Sequence, residues 1–168
     1  MPHRLDDHQG RRRSRCHTET RRTSWRPEMK ILVAVDGSEY TRRMVAYWAA
    51  HDEWLGPAHE YTVLTVVPTI PPRAAAVLDR ELLQGYYADE GEKVFKPLRT
   101  FLDAQRISAT FLSKTGHVAD AIAKTADEGH FDLVMMGSHG HNQLGNLVMG
   151  SVATRVIAAC KTPVLLIR

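Results

Sequence analysis

"FDLVMMGSHGHNQLGNLVMGS", residues 131–151, holds the choice of fold. It opens on a short, almost wholly apolar run over 131–137, the form of a strand covered on both faces within a parallel sheet. About a dozen residues follow, carrying Gly137, Gly140 and Gly150 with His139 and His141 among them. Ser151 then stands where Val152, Val156, Ile157 and Cys160 give a helix one apolar side. A connection between strand and helix ordinarily takes about two to six residues, so the excess marks a binding loop rather than a simple turn. Glycine permits positive φ and lets another molecule approach the backbone closely. The start of the helix adds unpaired N–H groups and the positive end of its dipole, and Ser151 adds a hydroxyl donor. Together these features describe a phosphate cradle.

Outward from this stretch, strand-like and helix-like segments alternate from Met29 to the last residue, the pattern of parallel βαβ units. "KILVAV" (30–35) reads as a central strand. Ser38 is placed to cap a helix with Met44, Val45, Trp48 and Ala49 on one side. "YTVLTVV" (61–67) is the second strand. Three prolines in "PTIPPRAAA" (68–76) predict a loop. A long helical region from about 78 to 105 follows, with a break expected near Gly91 or Pro97 and an apolar stripe of Val94, Leu98, Phe101 and Leu102. "SATFLSKT" (108–115) alternates as an edge strand does, with Ala109, Phe111 and Ser113 on one face and Thr110, Leu112 and Lys114 on the other. Val118, Ala119, Ile122, Ala123 and Ala126 mark a further helix, ended around Gly129, and "TPVLLIR" (162–168) closes the chain as a strand. The total is five strands and four helices in one domain, which suits 168 residues of 43% hydrophobic content.

Charge separates the two ends of the chain. Of its 22 Lys and Arg, eight are arginines within residues 1–28, set against four acidic residues there. The net charge is +4 over 1–28 and −1 over 29–168, so the folded part does not read as a basic nucleic-acid binder. Residues 1–28 lack apolar periodicity and read as a disordered basic extension, with nucleic-acid contact confined to that tail and Met29 a plausible native start. With no apolar run near the ~20 residues a membrane span needs, the expectation is a soluble, cytoplasmic protein without membrane contact. Cys16 and Cys160 make no disulfide framework, and Cys160 reads as core.

Other chemistries fit less well. The loop has no Gly-Lys pair, so it is not a lysine-based P-loop, and GxGxxG is absent. His139 and His141 without a nearby Cys or carboxylate fall short of a metal set, so no metal site of the protein's own is expected. Ser138 and His139 are merely adjacent, and GxSxG is missing, which disfavours a hydrolase elbow.

The spacing Gly137-x2-Gly140-x9-Gly150-Ser151 resembles the G-x2-G-x9-G-[ST] motif of the universal stress protein family, in its ATP-binding branch. "ILVAVDGSE", "FDLVMMGSHG", "MGSVATRVI" and "TPVLLIR" extend the resemblance over about residues 29–168. It implies an α/β fold: an open five-stranded parallel sheet in the order 3-2-1-4-5 with helices on both faces, adenine nucleotide alpha hydrolase-like and Rossmann-like. It further implies ATP, with Mg²⁺, at the carboxyl edge. Carried over by position, Gly137, Gly140, Gly150 and Ser151 would hold the phosphates, Asp36 the ribose or a phosphate-bound metal, and Val66 and Val67 would face the adenine. By spacing alone Asp36 reads slightly better as the turn-former of "DGS", and only the family resemblance tips it towards the ligand role. Where family loops often carry cations, this one has His139 and His141, possible phosphate contacts whose charge near neutral pH is conditional. A homodimer through residues 163–168 is the family's usual cover for that edge. The resulting expectation is a nucleotide-responsive regulatory module with an unidentified protein partner. A slow ATP hydrolase or phosphoryl-transfer protein, and a nucleotide-independent interaction protein, are the alternatives.

Overall fold

The computed structural model describes residues 28–141 and 149–168. The expectation for the N-terminal extension, like the middle of the 137–151 loop, lies outside the described residues. Five strands, β1 (Lys30–Val35), β2 (Glu60–Val67), β3 (Thr110–Thr115), β4 (Leu133–Gly137) and β5 (Val164–Ile167), form one sheet in the order β3-β2-β1-β4-β5. Every pairing is parallel, as expected; Val33 stands beside Val63 on one side and Met135 on the other.

Alternation along β1 builds two cores. Ile31, Val33 and Val35 point to the face covered by α1 (Glu39–Ala50) and α4 (Arg80–Ala104), among Met44, Trp48 and Phe95. Leu32 and Ala34 point to the opposite face, under α5 (Val118–Glu128) and α6 (Ser151–Ala159), among Ile122, Ala126 and Val156. A strand buried on both faces has no polar side, which is why 30–35 reads as continuous apolar sequence. The edge strand β3 follows the same rule in weaker form: Phe111 packs on the first core and Leu112 on the second.

Several local expectations change. The helix over Arg80–Ala104 runs unbroken through Gly91 and Pro97. Proline there removes one N–H and would ordinarily break the helix. Phe95, Leu98 and Leu102 are buried around it, each side chain contributing about 1.5–3 kcal/mol, which offsets the loss. At Gly91 the helix lies close against the sheet, since a β-carbon there would be 2.7 Å from Ser113 Oγ. The proline-rich 68–76 segment is not wholly a loop: α3 (Pro72–Ala75) forms one turn, with proline in its first position, where no N–H is needed. Another short helix, α2 (Asp52–Leu55), follows α1, so the described residues hold six helices rather than four.

Ile157, assigned to the apolar side of α6, is 45% exposed, and Ala153 and Val156 are the buried residues of that helix. Cys160, read as core, is the C-cap of α6 and half-buried, packed against the second core, with its thiol donating to Asp127 Oδ1 at 3.6 Å. Among the described residues, no helix is long and apolar enough to cross a membrane.

Candidate functional site

Strand order reverses beside β1, whose neighbours β2 and β4 are followed by segments crossing to different faces. Such a reversal leaves a crevice at the carboxyl ends of the strands. A cleft of about 410 Å³ occupies that place. Asp36 enters it from the end of β1, Val66 and Val67 from the end of β2, and Gly137 from the end of β4. His139, Gly140 and His141 line it from the loop after β4, and Gly150 and Ser151 from the start of α6. All nine residues singled out from sequence therefore meet on one cleft.

Asp36 is held by its own helix start. Its Oδ1 accepts the Ser38 N–H at 2.9 Å and the Thr41 hydroxyl at 2.8 Å, while its own N–H donates to Thr41 Oγ1 at 3.1 Å. Ser38 is the N-cap of α1, with Oγ accepting the Thr41 N–H, so "DGSEYT" is one interlocked turn. Gly37 makes the turn possible with φ of 77°. Asp36 thus forms a turn and also presents Oδ2 to the loop opposite.

That loop returns to Asp36 by two routes. A β-carbon on Gly140 would lie 2.6 Å from Asp36 Oδ2. His141 Nε2 lies 2.7 Å from the Asp36 carbonyl oxygen, and because a carbonyl only accepts, Nε2 carries the proton. His139 tilts over Tyr40, ring centroids 4.9 Å apart, with Nδ1 3.1 Å from Ser138 Oγ. The Ser138 N–H donates to the Ile167 carbonyl, and its own carbonyl accepts the Gly150 N–H at 2.8 Å. These bonds tie both ends of the loop to β5 and to the start of α6.

At that start, Gly150 is the N-cap and no side chain caps the helix. The first N–H groups of an α-helix have no intrahelical partner, so α6 brings donors and a positive dipole end to the cleft. Gly150 is close-packed as well, a β-carbon there meeting His139 Cα and the Ser138 oxygen at 3.2 Å. At Gly137 the atom that excludes a side chain is Tyr40 Cβ, 2.8 Å away, so this glycine also lets α1 settle on β4.

Sequence reading passed over Thr41 and Glu90. Thr41, 3% exposed, sits five residues beyond Asp36, a spacing that marks a helix-start clasp once Asp36 is suspected. Glu90 reaches the cleft from the middle of α4, and no local pattern around it signals that placement.

The comparisons with known proteins agree with this architecture. The Universal stress protein family model matches residues 29–168. A relative from Thermus aquaticus, the universal stress protein in the QAH/OAS sulfhydrylase 3' region, is 31% identical over 140 residues, covering 82% of this chain and 97% of the relative. Among solved structures, the universal stress protein from Archaeoglobus fulgidus in complex with dAMP aligns with a TM-score of 0.60 at 20% identity, covering 83% of this chain and 98% of that one. A family member from Arabidopsis thaliana with AMP bound gives 0.59 at 16% identity, covering 83% and 90%. The five-stranded parallel sheet, its strand order and a family match running to the last residue lead to one conclusion: the chain belongs to the universal stress protein family.

Proposed function

We propose that this chain binds an adenine nucleotide, ATP with Mg²⁺, at the carboxyl edge of its sheet, and that the occupied site serves as a regulatory switch. The observation that carries this reading is the convergence of segments far apart in sequence on one cleft, apolar at the β2 side and rich in backbone donors at the α6 side. A nucleotide has the same two ends. Val66 and Val67 face the adenine, and Gly137, Gly140, Gly150 and Ser151 receive the phosphates, with His139 and His141 beside them. Mg²⁺ is usually held by one or two carboxylates together with phosphate oxygens, and Asp36 supplies one carboxylate or bonds the ribose. The volume of about 410 Å³ falls in the ordinary range for a small-molecule site. Relatives of the same fold solved with dAMP and AMP support the ligand class.

A regulatory role needs only that ATP bind one conformational or oligomeric state better than another. Homodimerisation through residues 163–168 belongs to the same reading: β5 lies at the sheet edge, and Val164, Leu165 and Leu166 are only partly buried. Sedimentation at micromolar concentration tests it, and a pure monomer with and without ATP removes it.

Calorimetric titration of MgATP into the full chain, beside a Gly140→Ala, Gly150→Ala double variant, tests the site. Micromolar binding, worth about −8 kcal/mol, is expected in the parent and lost in the variant. Phosphate release followed in the same samples separates a switch from a slow hydrolase. No binding by the parent returns the protein to the nucleotide-independent class.

A further inference from the structure

Beside the cleft lies a second cavity of about 330 Å³. Val118, Ser151 and Val152 line both, so the two adjoin at the first turn of α6. The second cavity adds His117 and Asp120 from the start of α5, and Arg155 from one turn further along α6. Among the described residues lining the first cleft there is no lysine or arginine, whereas Asp36 brings negative charge to it and Glu90 does so while ion-paired to Lys93 outside the lining. Neither Arg155 nor Asp120 is in an ion pair among the described residues, so the Arg155 charge is not spent on a protein carboxylate.

Resting on the nucleotide reading above, we infer that the second cavity receives the terminal phosphate of a nucleoside triphosphate and that Arg155 makes the site prefer ATP over AMP. Ser151 borders both cavities. A monophosphate seated against Gly150 and Ser151 ends in the first cleft, and a longer phosphate chain has the second cavity as its continuation. Arg155 stands at i+4 from Ser151 and therefore on the same face of α6. Among the described residues lining that continuation it is the one lysine or arginine, and guanidinium is suited to phosphate by its planar array of donors. Asp120 opposes it. A carboxylate in the same cavity repels a terminal phosphate, so the preference reflects the balance of the two side chains.

The test measures MgATP and AMP affinities calorimetrically for the full chain, Arg155→Gln and Asp120→Asn. Arg155→Gln is expected to weaken ATP by about tenfold and to leave AMP within about twofold, an effect that shrinks at high salt. Asp120→Asn is expected to strengthen ATP relative to AMP. If Arg155→Gln weakens both nucleotides alike, or neither, the inference is overturned while AMP binding keeps the nucleotide reading. If the parent binds neither nucleotide, the nucleotide reading fails and takes the inference with it. Should Arg155→Gln lose its fold by circular dichroism, Asp120→Asn decides, and an unchanged ATP to AMP ratio overturns the inference.

Discussion

A β-carbon on Gly140 would stand 2.6 Å from Asp36 Oδ2, so the loop after β4 and the carboxylate closing β1 meet only because residue 140 has no side chain. The contact is not easily relieved by turning the carboxylate, because Oδ1 is held by the Ser38 N–H and the Thr41 hydroxyl. Gly140→Ala is therefore expected to push the loop outward and weaken MgATP by about tenfold or more, with little change in unfolding free energy. Calorimetry on the single variant, paired with urea denaturation, checks both halves of that statement. A large loss of stability with unchanged affinity would refute it.

Thr41→Val keeps the shape of the side chain and removes the hydroxyl that both donates to Asp36 and accepts its N–H. With Thr41 buried, the stranded Asp36 N–H makes the expected cost about 1–3 kcal/mol. Thr41→Ser retains the hydroxyl and should recover most of it. Urea unfolding curves of the two variants give the comparison.

The unbroken course of α4 rests on its buried side. Leu102→Ala, at a residue 2% exposed, is expected to cost about 2–5 kcal/mol. Ile157→Ser, at a residue that was expected in the core but is 45% exposed, should stay within about 0.5 kcal/mol. Equal losses in thermal melts of the two variants would contradict the observed packing.

Asp127 ties the end of α6 to the start of β5. Its partial removal from water pushes its carboxyl pKa up, but the N–H groups of Lys161 and Thr162, the Cys160 thiol and the Thr162 hydroxyl together more than reverse this and hold it below the ordinary value. A carboxyl whose pKa is lower when folded stabilises the fold above its unfolded value, about 3.9, and that stabilisation is lost as pH falls through the folded value. Asp127→Asn should consequently melt below the parent at pH 7, and the two curves should converge in acid below about pH 4. A gap that persists or widens in acid would contradict this account.

Much of the fold was legible because its signals are local. The apolar runs at 30–35, 61–67 and 131–137 mark strands covered on both faces, and the spacing of Val118, Ile122 and Ala126 marks a helix. The glycine-lined start of α6 was legible for the same reason, since glycine spacing and a helix start lie within one short stretch. Pro97 misled because the rule against proline in helices is local, whereas the burial of Phe95, Leu98 and Leu102 that overrides it comes from the sheet. Ile157 misled because periodicity names a side of a helix without saying how wide the covered stripe is.

The sequence by itself determined the alternation of strands and helices, the overlong glycine loop and the family resemblance, since each is written in neighbouring residues. Tertiary structure alone decided that Asp36 Oδ2 fills the space a Gly140 side chain would need, that Glu90 reaches the same cleft and that Arg155 and Asp120 share a second cavity beside it. The physical reason is the parallel sheet. Pairing β1 with β4 brings together strand ends separated in sequence by three crossovers, and only that pairing sets which side chains face one another across the carboxyl edge.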